Sequence, residues 1–539
     1  MNEKRSGEEG YITLFLTLIF LIFMMASFTI IEIVHSYVSS SIAEEEVVGA
    51  GEDILADYDK VLFERYHLYF LDPREKDKIE EDGMKYLHQN LIDRGIIAQH
   101  CQKLVAYEKK YATDANGMYL RAQIREWEKY RLIGQAMESL KNLASVIGEK
   151  GVVLNDADRQ IAIADKAEEE RKRKEAEREK EEKQKQAQQA AEGVPASPSE
   201  ATTEEKKDPN AVDTKEKADW KEFLKQCKKI AKLGVLVYAV DDISTVSAKE
   251  INMKGLPSRE KGIPRGSMIL DNKLVPSSLK DVRKIFAPKD SVVPAVQKVA
   301  SMSIDEMYLA AYMNDNFSSY INPMPETEHQ LDYELEYLAV GKKSDVDNLR
   351  TMADRILFIR FLVDFAYAFS NPELEEEALV LGEELSLFLG LPASGPIVAK
   401  VLIAALSLTE ALLDVHQIFQ GGKVPVIKDP LTWTTHFYSF IPQLVTKAQV
   451  KKGKVNAGYN EYLQLFLLMG KDKVHLYRMM DIMQVNVAAE EEGFRMKDCV
   501  FRFRWEADIK CAHIYQQIPM VGADFGDSFH TKVVRYNSY

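Results

Sequence analysis

The sequence predicts a mainly α protein, with an N-terminal transmembrane helix, a long helical and coiled-coil-like region, and a helical ectodomain bearing a small C-terminal antiparallel β element. Three observations carry this. A charge-free run near the start matches the apolar thickness of a bilayer. Apolar residues then recur every three or four positions through most of the chain. Only the last stretch changes to a period of two.

The first run is "GYITLFLTLIFLIFMMASFTIIEIVHS", Gly10 to Ser36, uncharged from Tyr11 to Ile31 and first broken by Glu32. At about 1.5 Å per residue it covers roughly the 30 Å hydrocarbon core of a membrane. A buried globular helix of this length would carry a polar stripe. A secretory signal has a shorter apolar region, about 7–15 residues, with a small-x-small site close behind. The nearest such site, Ser41-Ile42-Ala43, lies beyond Glu32 and His35. The run is therefore read as an anchor over 11–34, after a cytoplasmic leader at 1–10. Tyr11, Phe15, Phe20, Phe23, Ala26, Ser27 and Ile31 are its anchor residues. Lys4 and Arg5 precede it and no basic residue follows until Lys60, which keeps the N-terminus inside and exports the rest.

A net charge of −14 argues against nucleic acid and against an anionic lipid surface as principal partner. Four cysteines (Cys101, Cys227, Cys499, Cys511) are too few for a disulfide scaffold and form no CxxC pair. Cys499 and Cys511 are the best candidates for a disulfide, if a hairpin brings them together.

A juxtamembrane helical region is expected over 35–165. Ile54, Leu55, Tyr58, Val61, Leu62 and Tyr66 trace one helical face, which Pro73 should end. From Met118 to Gly148, Leu120, Ile124 and Trp127, then Ile133, Met137, Leu140, Ala144 and Ile147, form a coiled-coil-like seam with an irregularity between. The run at 166–192 is polar on every face. Its Glu168–Lys172, Glu169–Arg173 and Glu170–Lys174 pairs, at about 0.2–0.5 kcal/mol each, predict a solvated helix. The composition at 193–217 predicts a disordered linker.

Over 218–300 the sequence predicts a helix with Trp220, Phe223, Leu224, Cys227 and Ile230 on one side, then β-like "VLVYAV" and turns. An apolar helical domain fills 301–490. Between Leu385 and Thr409 only Lys400 is charged, but Pro392, Gly395 and Pro396 divide that stretch. Two core helices explain it better than a second span. In "VFRFRWEADIKCAHIYQQ", Phe501, Phe503 and Trp505 alternate with Arg502, Arg504 and Glu506, so a β hairpin is expected over 495–539, with "GDSFHTKVVRYNSY" as partner.

No GxSxG, HExxH, GxxxxGK or GxGxxG occurs. His416 beside Asp414 reads as a surface or capped histidine. Gly421 and Gly422 in "QGGKVPVIKDP" read as a helix C-cap rather than an anion loop. Glu44–Glu46 and Glu375–Glu377 lack the alternating ligands of a calcium loop. The expectation is no catalytic, cofactor or metal residue.

The leader and anchor, followed by "DILADYDKVLFERYHLYFLD", resemble an uncharacterised Firmicutes family of membrane-anchored proteins with a TadE/TadG-like, pseudopilin-like N-terminus, linked to Flp/Tad-type pilus loci. "EYLAVGKKSDVDNLRTMADRILFIRFLVDFAYAFSNPE", "ALLDVHQIFQGGKVPVIKD" and "GYNEYLQLFLLMGKDKVHLYRMMDIMQVN" also resemble that family. The resemblance implies a non-catalytic assembly component whose partners are the lipid bilayer, other membrane components of a pilus or secretion apparatus and, through helical seams, further copies of itself. Counting from Gly10, the fifth residue is Phe15 where prepilin leaders have glutamate, which favours an uncleaved accessory component. The competing expectation is an anchored ectodomain that binds or processes a wall ligand.

Overall fold

The computed structural model describes residues 3–93, 97–130, 134–191, 234–265, 279–286, 289–324, 329–388, 394–515, 517–518, 523–524 and 526–539. The expected linker at 193–217 and the helix beginning at Trp220 lie outside them. The chain forms two compact units. One contains Met1–Trp127, Gly255–Lys261 and Met479–Tyr539; the other contains Glu128–Lys254 and Gly262–Arg478.

The first unit is built on one helix, Glu3–Ala56, 54 residues long, which continues the apolar run without a break. Its far half carries Ala43, Val47, Ala50 and Ile54 at steps of 4, 3 and 4, and all four are buried. They pack on a three-stranded antiparallel sheet made of Gln99–Tyr111, Val500–Ala512 and Ser528–Ser538, with Val500–Ala512 in the centre. The alternation read from the sequence is real: Phe503, Trp505, Ala507, Ile509 and Cys511 are buried along the central strand. Burying each large apolar side chain contributes about 1.5–3 kcal/mol. The helix and the last strand come very close at Gly51, where an added Cβ would collide with the Asn537 side chain.

Four expectations need correction here. The region 35–165 is not all helix, because Gln99–Tyr111 is a strand. Register shifts between Cys101 and Lys103 and between Tyr107 and Lys110, with Glu108 at a φ of 53°, break the alternation that would have marked it. The juxtamembrane helix does not run on to Pro73. It stops at Ala56, restarts at Lys60 under an Asp59 cap, and ends at His67 in the left-handed region. The C-terminal element is the larger part of a three-stranded sheet rather than a hairpin alone. Finally, Cys499 and Cys511 are free, as is Cys101. Cys499 and Cys511 lie at opposite ends of one extended strand, separated by about 40 Å at roughly 3.3 Å per residue, so no disulfide can join them.

The second unit is helical. Asp345–Ser370 is buried on nearly every face and acts as its central helix. Pro372–Phe388 and Gly395–Phe419 are the two helices expected on either side of the Pro/Gly break. Gly395–Phe419 is apolar enough to cross a membrane, yet 72% of its most apolar window is buried inside the protein, as a core helix requires. The seam of 118–148 is interrupted: Met118–Glu128 lies almost wholly in the first unit, where Leu120 and Ile124 are buried, and Gly134–Glu149 lies in the second, where Leu140, Ala144 and Ile147 are buried. The charged run belongs to a longer helix, Gly151–Ala191, whose first turns bury Leu154, Ala157 and Ile161. "VLVYAV" is not β; Leu236–Ala239 forms a single helical turn.

Candidate functional site

The first half of the long helix presents its side chains outward. Tyr11, Phe15, Phe20, Phe23 and Ile31 are exposed, and no part of its most apolar window is buried by protein. Water would make such a surface costly, whereas lipid would not. The polar atoms within it are turned inward. Thr17 donates to Leu14 O at 2.8 Å, Ser27 to Phe23 O at 2.9 Å and Thr29 to Met25 O at 2.9 Å, so these hydroxyls need no water.

Where the apolar run ends, the sheet takes hold of the helix. Glu32, its first charge, is 5% exposed, and its Oε1 lies 2.6 Å from His513 Nδ1. Its other oxygen accepts the Tyr515 N–H at 3.0 Å. The Phe28 and Tyr515 rings are 4.8 Å apart, and His35 Nε2 lies 3.0 Å from Ala512 O. One turn further on, Ser40 Oγ meets Thr531 Oγ1 at 3.0 Å and Gln99 Nε2 donates to Ser39 O at 2.8 Å. The sequence showed Glu32 as the end of the span but could not show His513, 481 residues away.

In the second unit, charges are buried at the centre of the helices. Arg360 donates from Nε to Asp414 Oδ2 at 2.8 Å, from Nη2 to Asp364 Oδ1 at 2.7 Å, and from Nη1 to Val426 O and Tyr462 Oη. Lys428 Nζ donates to Glu410 Oε1 at 2.7 Å and to Asp414 Oδ1 at 2.9 Å. The Thr435 N–H also reaches Glu410, at 2.9 Å. All five ionisable side chains are fully buried. Three carboxylates against two cations leave one excess negative charge. Burial pushes the Asp364 carboxyl well above the usual range, which favours its neutral form. Asp414 therefore faces Arg360 and Lys428, while His416 is half-buried with Nδ1 3.0 Å from Ala239 O. Gly421 does end its helix with φ 76°, and its N–H bonds back to Ile418 O. Lys428, further along that segment, turns into the core; its sequence context gave no sign of this.

Close by in the chain, Glu336 is fully buried, accepting from Tyr459 Oη at 2.7 Å and from the Tyr320 N–H at 3.0 Å. Burial raises its carboxyl to about 7. His475 is buried and held neutral, lowered to about 4 by burial and then by Arg478. In the first unit, an open groove of about 540 Å³ is lined by Glu81, Met84, Lys85, His88, Gln89, Ile92 and Cys101. Burial raises the Cys101 thiol to about 11, which keeps it protonated and a poor nucleophile near neutral pH. Among the described residues, Asp59, Asp72 and Glu491 are carboxylates close enough to share an ion.

The fold defines a mainly α protein whose long, exposed apolar N-terminal helix can serve as a membrane anchor. The chain belongs to the family described as "Family of unknown function (DUF5702)", whose sequence profile matches residues 213–511, more than half of its length. The match begins well after the apolar helix. No curated protein and no solved structure matches the chain.

Proposed function

We propose that this protein is an extracytoplasmic, non-catalytic assembly component of a Tad/Flp-type pilus or secretion apparatus, held in the cell membrane by a single N-terminal span. One observation carries the reading: a single unbroken helix is exposed and apolar in its first half, and packs on an antiparallel sheet in its second. That division gives one half of the helix to the membrane or neighbouring helices and the other to the protein's own sheet, which suits the pseudopilin-like resemblance of its N-terminus. Lys4 and Arg5, on one side only of the run, favour a cytoplasmic N-terminus. The ionisable groups that stand out, Arg360 with its partners, Glu336 and His475, are sealed from solvent, which suits structure better than turnover.

Helices in lipid associate by close packing and hydrogen bonding rather than by hydrophobicity. Ala26 and Ser27 are the small residues in the middle of the span. The test is affinity capture of the full-length protein from gently solubilised membranes, with wild type beside the Ala26→Leu/Ser27→Leu variant. Both should insert, and only wild type should retain secretion ATPase-linked membrane components. Capture of cell-wall material in place of membrane proteins would support the wall-ligand reading instead. Protease added to intact, wall-stripped cells should degrade the large region; complete protection would overturn the orientation.

A further inference from the structure

We infer that Asp59, Asp72 and Glu491 form a calcium site on the unit that carries the apolar helix. Oxygens of the three carboxylates lie within 4.8 Å of one another, although Glu491 is more than 400 residues from the other two. Asp59 precedes the Lys60–Tyr66 helix and Asp72 follows it, while Glu491 comes directly after Asp472–Glu490.

Proximity of acids is common, but two further features set this group apart. Asp59 is 0% exposed, and while its Oδ1 accepts the Leu62 N–H at 2.8 Å, its Oδ2 has no hydrogen-bond partner. A buried carboxylate oxygen without a donor is costly unless something cationic reaches it. Charge balance gives the second. Among the described residues, Arg74 is a cation that touches the cluster, through Asp72 and, at 3.3 Å, through Glu491 Oε1. It does not bond Asp59, and its side chain is 65% exposed. Three carboxylates less one guanidinium leave two negative charges, the complement of one divalent ion.

The donors are all hard oxygens, which select calcium or magnesium over transition metals. Calcium, at about 2.4 Å from oxygen, accepts irregular sets of six to eight oxygens, whereas magnesium, at about 2.05 Å, demands a near-ideal octahedron, so three carboxylates gathered from separate segments suit calcium. Waters complete the shell. Arg74, mostly in solvent, turns aside when the ion enters and covers the carboxylates when it leaves. An ion here ties the segment after the long helix to the segment that leads into the central strand.

The test uses the full chain in detergent micelles, stripped with chelator and titrated calorimetrically with calcium chloride and, separately, magnesium chloride. One calcium per chain is expected, with a dissociation constant of about 10⁻⁴–10⁻³ M, as in extracellular modules. Asp59→Asn, which keeps the helix cap, and Glu491→Gln should each weaken it at least about tenfold, a loss of one full decade in affinity. Arg74→Gln should tighten it, because the competing guanidinium is gone. Saturable calcium binding that is unchanged in both carboxylate variants would overturn the assignment, as would no binding in wild type. Magnesium binding as tight as calcium would overturn the choice of ion. If Asp59→Asn misfolds, Arg74→Gln decides alone: no gain in calcium affinity refutes the site.

Discussion

Glu32 and His513 meet at 2.6 Å across 481 residues of chain, and both side chains are nearly buried. This contact fixes the point at which the long helix passes from its exposed half to its packed half. Replacing His513 with alanine leaves the nearly buried Glu32 without this hydrogen-bond partner, which should cost about 1–3 kcal/mol. Thermal unfolding of the full-length protein in micelles reads the loss. Faster amide exchange at Ala512–Tyr515 should accompany it; an unchanged unfolding midpoint would show that the pair contributes nothing.

The Arg360 network predicts an asymmetry. Arg360→Met alone leaves Asp364 and Asp414 buried without their guanidinium and should destabilise the protein by about 3–5 kcal/mol. A concerted apolar replacement of Arg360, Asp364, Asp414, Lys428 and Glu410 should cost far less than the sum of the single changes, because no orphaned charge remains. Denaturant titrations of each variant test this; additive losses would refute it.

Glu336 makes stability depend on pH in a definite direction. Its folded carboxyl titrates near 7 against an ordinary 4.5, so between those values the folded state holds a proton that the unfolded state has lost. Stability from this group is present below about pH 4.5 and falls as pH rises to 7, by on the order of 3 kcal/mol at 1.36 kcal/mol per unit. His475, buried neutral near 4, acts oppositely between 4 and 6.5. The difference between wild type and Glu336→Gln isolates the first effect. Glu336→Gln should gain on wild type as pH goes from 5 to 8, and a pH-independent difference would contradict the assignment.

Gly51 permits the close approach of helix and sheet. In Gly51→Val the new side chain must displace Asn537, so a loss of about 1–3 kcal/mol is expected from overpacking. Gly10→Val, with nothing within 4 Å, is the control and should leave the unfolding midpoint unmoved.

The cysteines provide a chemical check. Burial raises the Cys499 thiol well above its usual value, so alkylation should be slow until the protein unfolds. Peptide mapping after mild oxidation should find no Cys499–Cys511 cross-link. Finding one would mean that the central strand does not run as described.

Periodicity made several helices and the central strand legible, since Phe503 and Trp505 alternate cleanly and Leu140, Ala144 and Ile147 keep helical steps. It failed at Gln99–Tyr111, where bulges interrupt the alternation and only Gln99 and Leu104 are buried. Tertiary context also overrode the β-like composition of "VLVYAV". The anchor could be read from one continuous stretch. Two distant neighbours could not, His513 beside Glu32 and Glu491 beside Asp59, because each lies more than 400 positions away and hydropathy carries no record of such pairings. Lys428 was hidden for the same reason: between Pro425 and Pro430 it looks like a loop residue, and only the fold turns it onto Glu410 and Asp414.

The order of the sheet has a consequence for biogenesis. The strand from 99–111 waits for Val500–Ala512, and that strand for Ser528–Ser538, so the unit bearing the apolar helix cannot close until residues beyond 528 have been synthesised. The helix leaves the ribosome early, while the surface that covers Ala43, Val47, Ala50 and Ile54 arrives late. Throughout that interval these side chains are uncovered, and the nascent protein needs either a chaperone or a neighbouring helix to shield them. A chain truncated before the final strand would remain in this open state, which gives quality control a direct means of telling finished molecules from unfinished ones.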